Sequence, residues 1–299
     1  MLELGSGTGR FTGQFNAAEV NAVAVDKGGG PHAAEVPTLY LDLTPEYAQE
    51  YLMDAIRAGR VIHVHMSGPG SSLDKDRRLR RRDKTVPRPR ALRSEEELLG
   101  LPPRSIENPT GLTVGEQRRV ENDNSVMFWY QAVIDQCIES NVQWSLEAPA
   151  ASWLWDFEWV RALEARGDVD RAEFDVCMFG GPQPRRLAVI GDLPLREALI
   201  RCCDNRHRHH RVDPGQELAY PEELAQELYR LVRRSLADRG DLHEAEPPRP
   251  PRRRLAGKTP VEGVATGAGS SADAAPLPAA PGRSGVTGES DTHAPVLGD

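Results

Sequence analysis

The feature that most constrains this chain is a glycine-rich turn close to its start. Residues 3–9 read Glu-Leu-Gly-Ser-Gly-Thr-Gly, between a short apolar run and a predicted helix at residues 10–15. A strand, a glycine turn and a helix in this order form a nucleotide-binding arrangement, because glycine lets backbone approach a ligand and the helix N-terminus offers free N–H groups. The dinucleotide pattern G-x-G-x-x-G is excluded, since its last position, counted from Gly5, is Arg10. A surface turn without a ligand is the alternative.

The spacing of an acid and three glycines resembles the first motif of the S-adenosylmethionine (SAM)-dependent methyltransferases. Glu3 precedes a G-x-G-x-G run formed by Gly5, Gly7 and Gly9. In that family the glycines flank the methionine part of SAM. The resemblance therefore implies that these four residues form part of a SAM site.

Two further acids follow predicted strands in the order that such a sheet needs. Residues 20–25 are apolar at nearly every position and lead to Asp26, and residues 38–41 form a short third strand that leads to Asp42. A carboxylate at the end of the second strand is placed to accept hydrogen bonds from both ribose hydroxyls. In the methyltransferase family, the position of Asp42 lies beside the adenine amino group. Aspartates are also common in ordinary turns, so each acid alone is weak support.

The rest of the chain alternates strands and helices. Strands are predicted at residues 61–66, 142–146, 174–178 and 187–190, the last two as an antiparallel pair, and helices at residues 45–58, 114–140, 152–165 and 221–236. Such alternation gives a mainly parallel sheet that binds ligands at the carboxyl ends of its strands. We therefore expect an α/β fold of the class I SAM-dependent methyltransferase (Rossmann-like) type, with helices on both faces of the sheet.

The segments beside the later strands carry three motifs in a specific order. Residues 67–72 read Ser-Gly-Pro-Gly-Ser-Ser, residues 146–149 read Leu-Glu-Ala-Pro, and residues 179–186 read Phe-Gly-Gly-Pro-Gln-Pro-Arg-Arg. This set resembles the C5-cytosine-specific DNA methylase family, and more closely its divergent methylase-like domains found with retroelements, over about residues 2–237. The glycine turn is shared by many methyltransferases, whereas its combination with Glu-x-Pro and Gly-x-Pro-Gln-x-Arg is more specific.

The resemblance implies two base-binding residues and a missing nucleophile. Cytosine C5 becomes reactive only after a thiolate adds to C6. By position, Glu147 would bind the N3 and amino edge of the base. Arg185 would orient the base and the Glu147 carboxyl group. The family's cysteine position is Gly70 here, and Ser71 and Ser72 are far weaker nucleophiles without an activating base. The alternatives are a strand-end or capping acid for Glu147 and a surface arginine for Arg185.

Other departures from the family point in the same direction. Ala148 stands in place of an asparagine and Leu187 in place of an arginine. Little sequence lies between Asp192 and the last predicted helix at residues 221–236, where a target-recognition domain would be inserted. We therefore expect a SAM-binding, methyltransferase-like protein that has lost cytosine methylation, a pseudoenzyme for that reaction. A methyltransferase that acts on an already nucleophilic nitrogen or oxygen is an alternative.

A basic run interrupts a chain whose formal net charge is −8. The basic residues of this run are Arg77, Arg78, Arg80, Arg81, Arg82, Lys84, Arg88, Arg90 and Arg93. Basic side chains neutralise phosphates and release counterions, so a nucleic-acid-binding module is a second functional hypothesis, with DNA or RNA bound through the first five of these arginines. A solvated charged loop is the alternative.

Composition divides the chain into a domain and a tail. Residues 1–239 suffice for one methyltransferase-like α/β domain, with residues 74–113 as a basic, irregular insertion. Residues 240–299 are rich in Pro, Gly, Ala and Ser, which predicts disorder. Their arginine-rich stretch at residues 249–254 is either a nuclear address or a solvated basic patch.

The four cysteines are irregularly spaced and no signal peptide is recognisable, which favours a reducing, intracellular location. No apolar run approaches the roughly 20 residues that span a bilayer, so no membrane partner is expected.

Cys202, Cys203, His207 and His209 are ligand types that zinc prefers, but adjacent cysteines differ from the usual C-x₂₋₄-C spacing. We therefore expect no metal, with a zinc site as the alternative, and we expect Cys177 in the apolar core.

Overall fold

A seven-stranded sheet organises the parts of the chain that the computed structural model describes, residues 1–30, 33–70, 72–75, 89–210 and 219–240. Its strands are β1 (Leu2–Leu4), β2 (Val23–Asp26), β3 (Thr38–Tyr40), β4 (His63–Ser67), β5 (Gln143–Pro149), β6 (Asp170–Asp175) and β7 (Arg186–Gly191). They lie in the order β3-β2-β1-β4-β5-β7-β6, parallel from β3 to β5, with β7 antiparallel to both of its neighbours. The predicted α/β fold with a mainly parallel sheet is confirmed.

Helices cover both faces of this sheet. They are α1 (Arg10–Ala17), α2 (Glu46–Arg57), α3 (Val114–Glu139), α4 (Glu158–Glu164), α5 (Leu195–Leu199) and α6 (Glu222–Asp238). Helices α2, α3 and α4 contribute to one buried apolar cluster, and α1, α5 and α6 contribute to a second. The central strands are therefore buried on both sides, as strands of parallel sheets normally are.

Successive side chains of β4 point to opposite faces of the sheet, into the two helical layers. Val64 and Met66 join the cluster of α2, α3 and α4. His63 and His65 point to the opposite layer, where their rings lie edge-on to Phe11 at centroid distances of 6.2 and 5.0 Å. Burial lowers the pKa of both histidines, to about 3 for His65. Both rings are therefore neutral at physiological pH.

Helix α3, which forms one wall of the candidate site, begins at a capping box. The Thr113 hydroxyl accepts a hydrogen bond from the Glu116 N–H, and the Glu116 carboxylate accepts one from the Thr113 N–H at 2.9 Å. This reciprocal pair satisfies N–H groups that the first helical turn leaves free. The sequence therefore fixes the start of α3 locally.

Two predicted elements are divided in the structure. Residues 152–165, predicted as one helix, form a 3₁₀ turn (Trp153–Asp156) and α4, separated at Phe157, whose ψ of 137° is extended. The Phe157 side chain is buried in the core, so tertiary packing accompanies this break. Residues 174–178, predicted as a strand, are shared between the end of β6 and a 3₁₀ turn (Val176–Phe179).

Some expectations fall outside the described residues. Residues 76–88, which carry the five arginines expected to bind nucleic acid, and residues 241–299, nearly all of the predicted tail, are not among them. The nucleic-acid and tail predictions therefore stay predictions. Within the described ranges, every helix is too short or too polar to cross a membrane.

Candidate functional site

A cavity of about 550 Å³ opens at the carboxyl ends of β1, β2 and β4. Gly5, Asp26, Asp42 and Gly70 line one side, and side chains of α3, including Tyr130, line the other. This volume lies within the roughly 300–1,000 Å³ typical of small-molecule sites. We call it the larger cavity.

The glycine turn after β1 contacts the carboxylate of Asp26. The Gly7 N–H donates to one carboxylate oxygen at 3.0 Å, and the Gly28 N–H donates to the other at 2.7 Å. Gly5, Gly7 and Gly9 have φ angles of 71°, 56° and 73°, in the left-handed region that glycine adopts without strain. The turn therefore needs glycine for its shape, whether or not a ligand is bound.

Asp42 lines the larger cavity and forms an ion pair with Lys27. Its carboxylate lies 2.7 Å from Lys27 Nζ and accepts hydrogen bonds from the Thr44 N–H and hydroxyl at 3.0 and 2.8 Å. Partial burial raises the pKa of Asp42, but the bonds from Lys27 and Thr44 outweigh that effect and leave the pKa below its usual value. Asp42 is therefore ionised at neutral pH.

Glu3 and Gly9 connect the turn to its surroundings. The buried Glu3 carboxylate accepts hydrogen bonds from the Thr12 N–H at 2.8 Å and the Thr12 hydroxyl at 2.5 Å, at the first turn of α1. Burial raises the pKa of Glu3 to about 7 despite these bonds. At Gly9, an added Cβ would lie 2.4 Å from Val36 Cγ2. Both residues hold the turn and α1 in place, and their predicted contact with a cofactor stays a prediction.

A second cavity of about 240 Å³, the smaller cavity, adjoins the first. Glu147, Arg185 and Tyr220 line it. The residues that line both cavities are Gly5, Ser67, Gly68 and Gly70. The structure thus places the two predicted base-binding residues in one cavity, and the position that lacks a cysteine on the wall between the two.

Glu147 is buried in the wall of the smaller cavity. It accepts a hydrogen bond from the Tyr220 hydroxyl. Burial raises the pKa of Glu147, while the positive charge of Arg185 and hydrogen bonds from Tyr220 and Ser67 act against that rise. The carboxyl group therefore retains a proton more readily than an exposed glutamate does.

Tyr220 and a chain of polar groups behind it were not identified from the sequence. The Tyr220 oxygen lies 2.9 Å from His65 Nε2, and His65 Nδ1 lies 2.8 Å from Ser145 Oγ, which is 3.3 Å from His63 Nε2. The chain runs from Glu147 into the interior of the sheet and fixes the orientation of that carboxylate. Tyr220 reaches the site because α6 packs on the sheet, and no local motif marks it.

Two arginines grouped with the basic run have other roles. Arg93 is 1% exposed, and its guanidinium donates to Ser72 Oγ and Asn124 Oδ1, each at 2.8 Å. Arg90 pairs with the carboxylate of Glu116 through two nitrogens, at 2.9 and 2.5 Å. The charge of Arg93 is therefore directed into the protein, and Arg93 is not among the five arginines expected to bind nucleic acid.

The structure also changes the composition of the Cys/His cluster. Cys203, His207 and His209 lie together, and the fourth member is Cys177. Cys202, which the sequence analysis grouped with them, is exposed and lies outside the cluster.

Comparison with known proteins gives a similarity to a solved structure and no match to a family model. No family model and no curated protein matches this chain. Among solved structures, it is similar to the crystal structure of a triple mutant of DNMT2 from Spodoptera frugiperda, with 16% identity and a TM-score of 0.36. The alignment covers 70% of this chain and 56% of that chain, so the present chain spans little more than half of its length.

Proposed function

We propose that this chain binds SAM in the larger cavity and is a methyltransferase-like protein that does not methylate cytosine at C5. The observation that carries the proposal is the junction of the two cavities at Gly70. A methyl donor and a base must meet at such a junction, and the residue there has no side chain to attack the base.

The hydrogen-bond acceptors of the larger cavity suit SAM. The ribose hydroxyls and the adenine amino group are hydrogen-bond donors, and Asp26 and Asp42 offer carboxylate oxygens on the cavity wall. Each oxygen of Asp26 accepts one backbone N–H, which leaves lone pairs for a ligand. When bound, SAM supplies a methyl group carried on a positively charged sulfur.

The smaller cavity suits the edge of a base but lacks the means to activate it. A carboxyl group with a raised pKa can donate to a ring nitrogen and accept from an amino group, as Glu147 would do beside Arg185. Addition of a thiolate to the ring needs a cysteine, and Gly70 provides none. These residues support recognition of a base without its activation for methyl transfer.

Calorimetric titration of SAM into the full chain tests the cofactor site. We expect binding by the wild type and an affinity at least tenfold lower in Asp26→Asn, since a hydrogen bond to a charged group contributes about 1.5–3 kcal/mol. Asp54→Asn, on the exposed side of α2, is the matched control and should bind as the wild type does. Absence of heat with the folded wild type, or equal affinity in Asp26→Asn, contradicts the proposed site.

Transfer of labelled methyl groups from SAM to cytosine in DNA tests the role of Gly70. We expect no transfer by the wild type and detectable transfer by Gly70→Cys. The change is sterically permitted, because no atom of the described residues lies within 4 Å of a Cβ built at Gly70. Gly70→Ser, similar in size but without a thiol, should stay inactive. Cytosine methylation by the wild type, or an inactive Gly70→Cys variant that still binds SAM, would overturn this assignment.

A further inference from the structure

Four metal-ligating side chains converge beside β6. The ligand atoms of Cys177, Cys203, His207 and His209 all lie within 4.8 Å of one another. Cys177 belongs to the 3₁₀ turn Val176–Phe179, and the other three belong to the segment that follows α5. The cluster therefore joins two segments that are distant in the sequence.

Two ligand-to-ligand distances within the cluster match a tetrahedral zinc centre. Cys203 Sγ lies 3.4 Å from His209 Nε2 and 3.8 Å from His207 Nε2. Zinc bonds of about 2.3 Å to sulfur and about 2.1 Å to nitrogen separate such ligands by about 3.6 Å at the tetrahedral angle. These two separations therefore differ by about 0.2 Å from the value that zinc needs, and all four ligand atoms lie within 4.8 Å of one another.

Other contacts hold this segment in position without a metal. The Cys203 N–H donates to Asp175 Oδ2 at 2.8 Å, and the His210 N–H donates to the Pro182 carbonyl at 2.9 Å. The Asn205 N–H donates to Cys203 Sγ at 3.3 Å, as backbone amides do where they support a thiolate ligand. The ligands are thus oriented before any ion binds.

The turn between Cys203 and His207 contains one residue in the left-handed region. Asn205 has a φ of 59°, which asparagine adopts more readily than most residues other than glycine. This turn reverses the chain, so that the imidazoles of His207 and His209 face the Cys203 sulfur.

We propose that Cys177, Cys203, His207 and His209 bind one zinc ion. Two thiolates and two neutral imidazoles balance the charge of Zn²⁺, and four protein ligands leave no open position for a substrate, so the ion is structural. It would attach the segment after α5 to the turn that precedes Arg185 and thereby support the smaller cavity. This ligand set could not be recognised from the sequence, because Cys203 is adjacent to Cys202 and the other cysteine ligand, Cys177, lies 26 residues earlier.

Zinc content of the full chain, purified with reductant and supplied with zinc alone, tests the proposal. We expect one bound zinc per chain in the wild type and at least a tenfold loss of affinity in Cys203→Ser. Cys202→Ser is the matched control, because this neighbouring cysteine is exposed and outside the cluster. His209→Asn and His210→Asn form a second pair, with loss expected only in the former. These sites are partly or fully exposed, so the variants should fold.

Cobalt substitution identifies the ligands directly. Sulfur-to-cobalt charge-transfer absorption is expected in the wild type and in Cys202→Ser, and it should be lost or reduced in Cys203→Ser. A folded, reduced wild type that takes up no zinc overturns the proposal, as does equal loss in both cysteine variants. A Cys177–Cys203 disulfide that persists under reducing conditions, seen in the mass of the intact protein, also overturns it.

Discussion

Replacing Arg93 with methionine is expected to lower the free energy of unfolding by about 3 kcal/mol, because buried polar partners would lose their donor. Arg93 donates to Ser72 Oγ, to Asn124 Oδ1 and to the Leu98 carbonyl. Burial lowers the pKa of Arg93 to about 10, which still leaves the guanidinium charged at neutral pH. Methionine fills much of the same volume but offers no hydrogen bond. Urea-induced unfolding of both proteins measures the difference.

Arg90→Met is the matched control for this measurement. Arg90 lies in the same segment, but its side chain is 37% exposed and its main partner is Glu116. A partly exposed ion pair contributes about 1 kcal/mol or less, so the loss should be much smaller. Equal losses of unfolding free energy in Arg93→Met and Arg90→Met would show that Arg93 does not stabilise the contact between Ser72, in the segment after β4, and α3.

The second large effect is expected in Glu3→Gln, as a changed dependence of stability on pH. The pKa of Glu3 is about 7 in the folded protein and about 4.3 in an unfolded chain. Between these values the folded state binds a proton that the unfolded state has released. Wild-type stability therefore falls as pH rises through this window, by up to 1.36 kcal/mol per pH unit for this group.

Glutamine does not titrate and can still accept a hydrogen bond from Thr12. From pH 5 to pH 8 the stability of Glu3→Gln relative to the wild type should therefore rise by about 2.5 kcal/mol. Urea unfolding at both pH values measures this change, with Glu46→Gln on the exposed side of α2 as the control. A difference that stays constant with pH would mean that the Glu3 carboxyl titrates as an exposed one does.

The fold could be predicted because its elements are encoded locally. Short apolar runs mark the strands, and the periodicity of residues 114–140 marks α3. The helix break at Phe157 was missed, since Trp155 and Trp159 keep helical spacing across it. That break depends on the burial of Phe157 against distant residues, and such packing leaves no local pattern.

The candidate site was predicted where it depends on strand ends. Asp26 ends β2, Asp42 follows β3 and Glu147 lies within the last three residues of β5, and the carboxyl ends of these strands lie at one edge of the sheet, beside the two cavities. Tyr220 and Cys177 acquire their partners through the packing of residues far apart in the chain. The burial of Arg93 could not be predicted, because the composition of a basic run does not reveal which of its charges is buried.

The open space around Gly70 has an evolutionary consequence. Apart from its chain neighbours, no atom of the described residues would lie within 4 Å of a Cβ at this position, and its φ is not left-handed, so contact with those residues does not require glycine. A substitution at Gly70 is therefore expected to leave the packing of the described residues unchanged. Variation at this codon among related genes would therefore record selection on chemistry, separately from selection on folding.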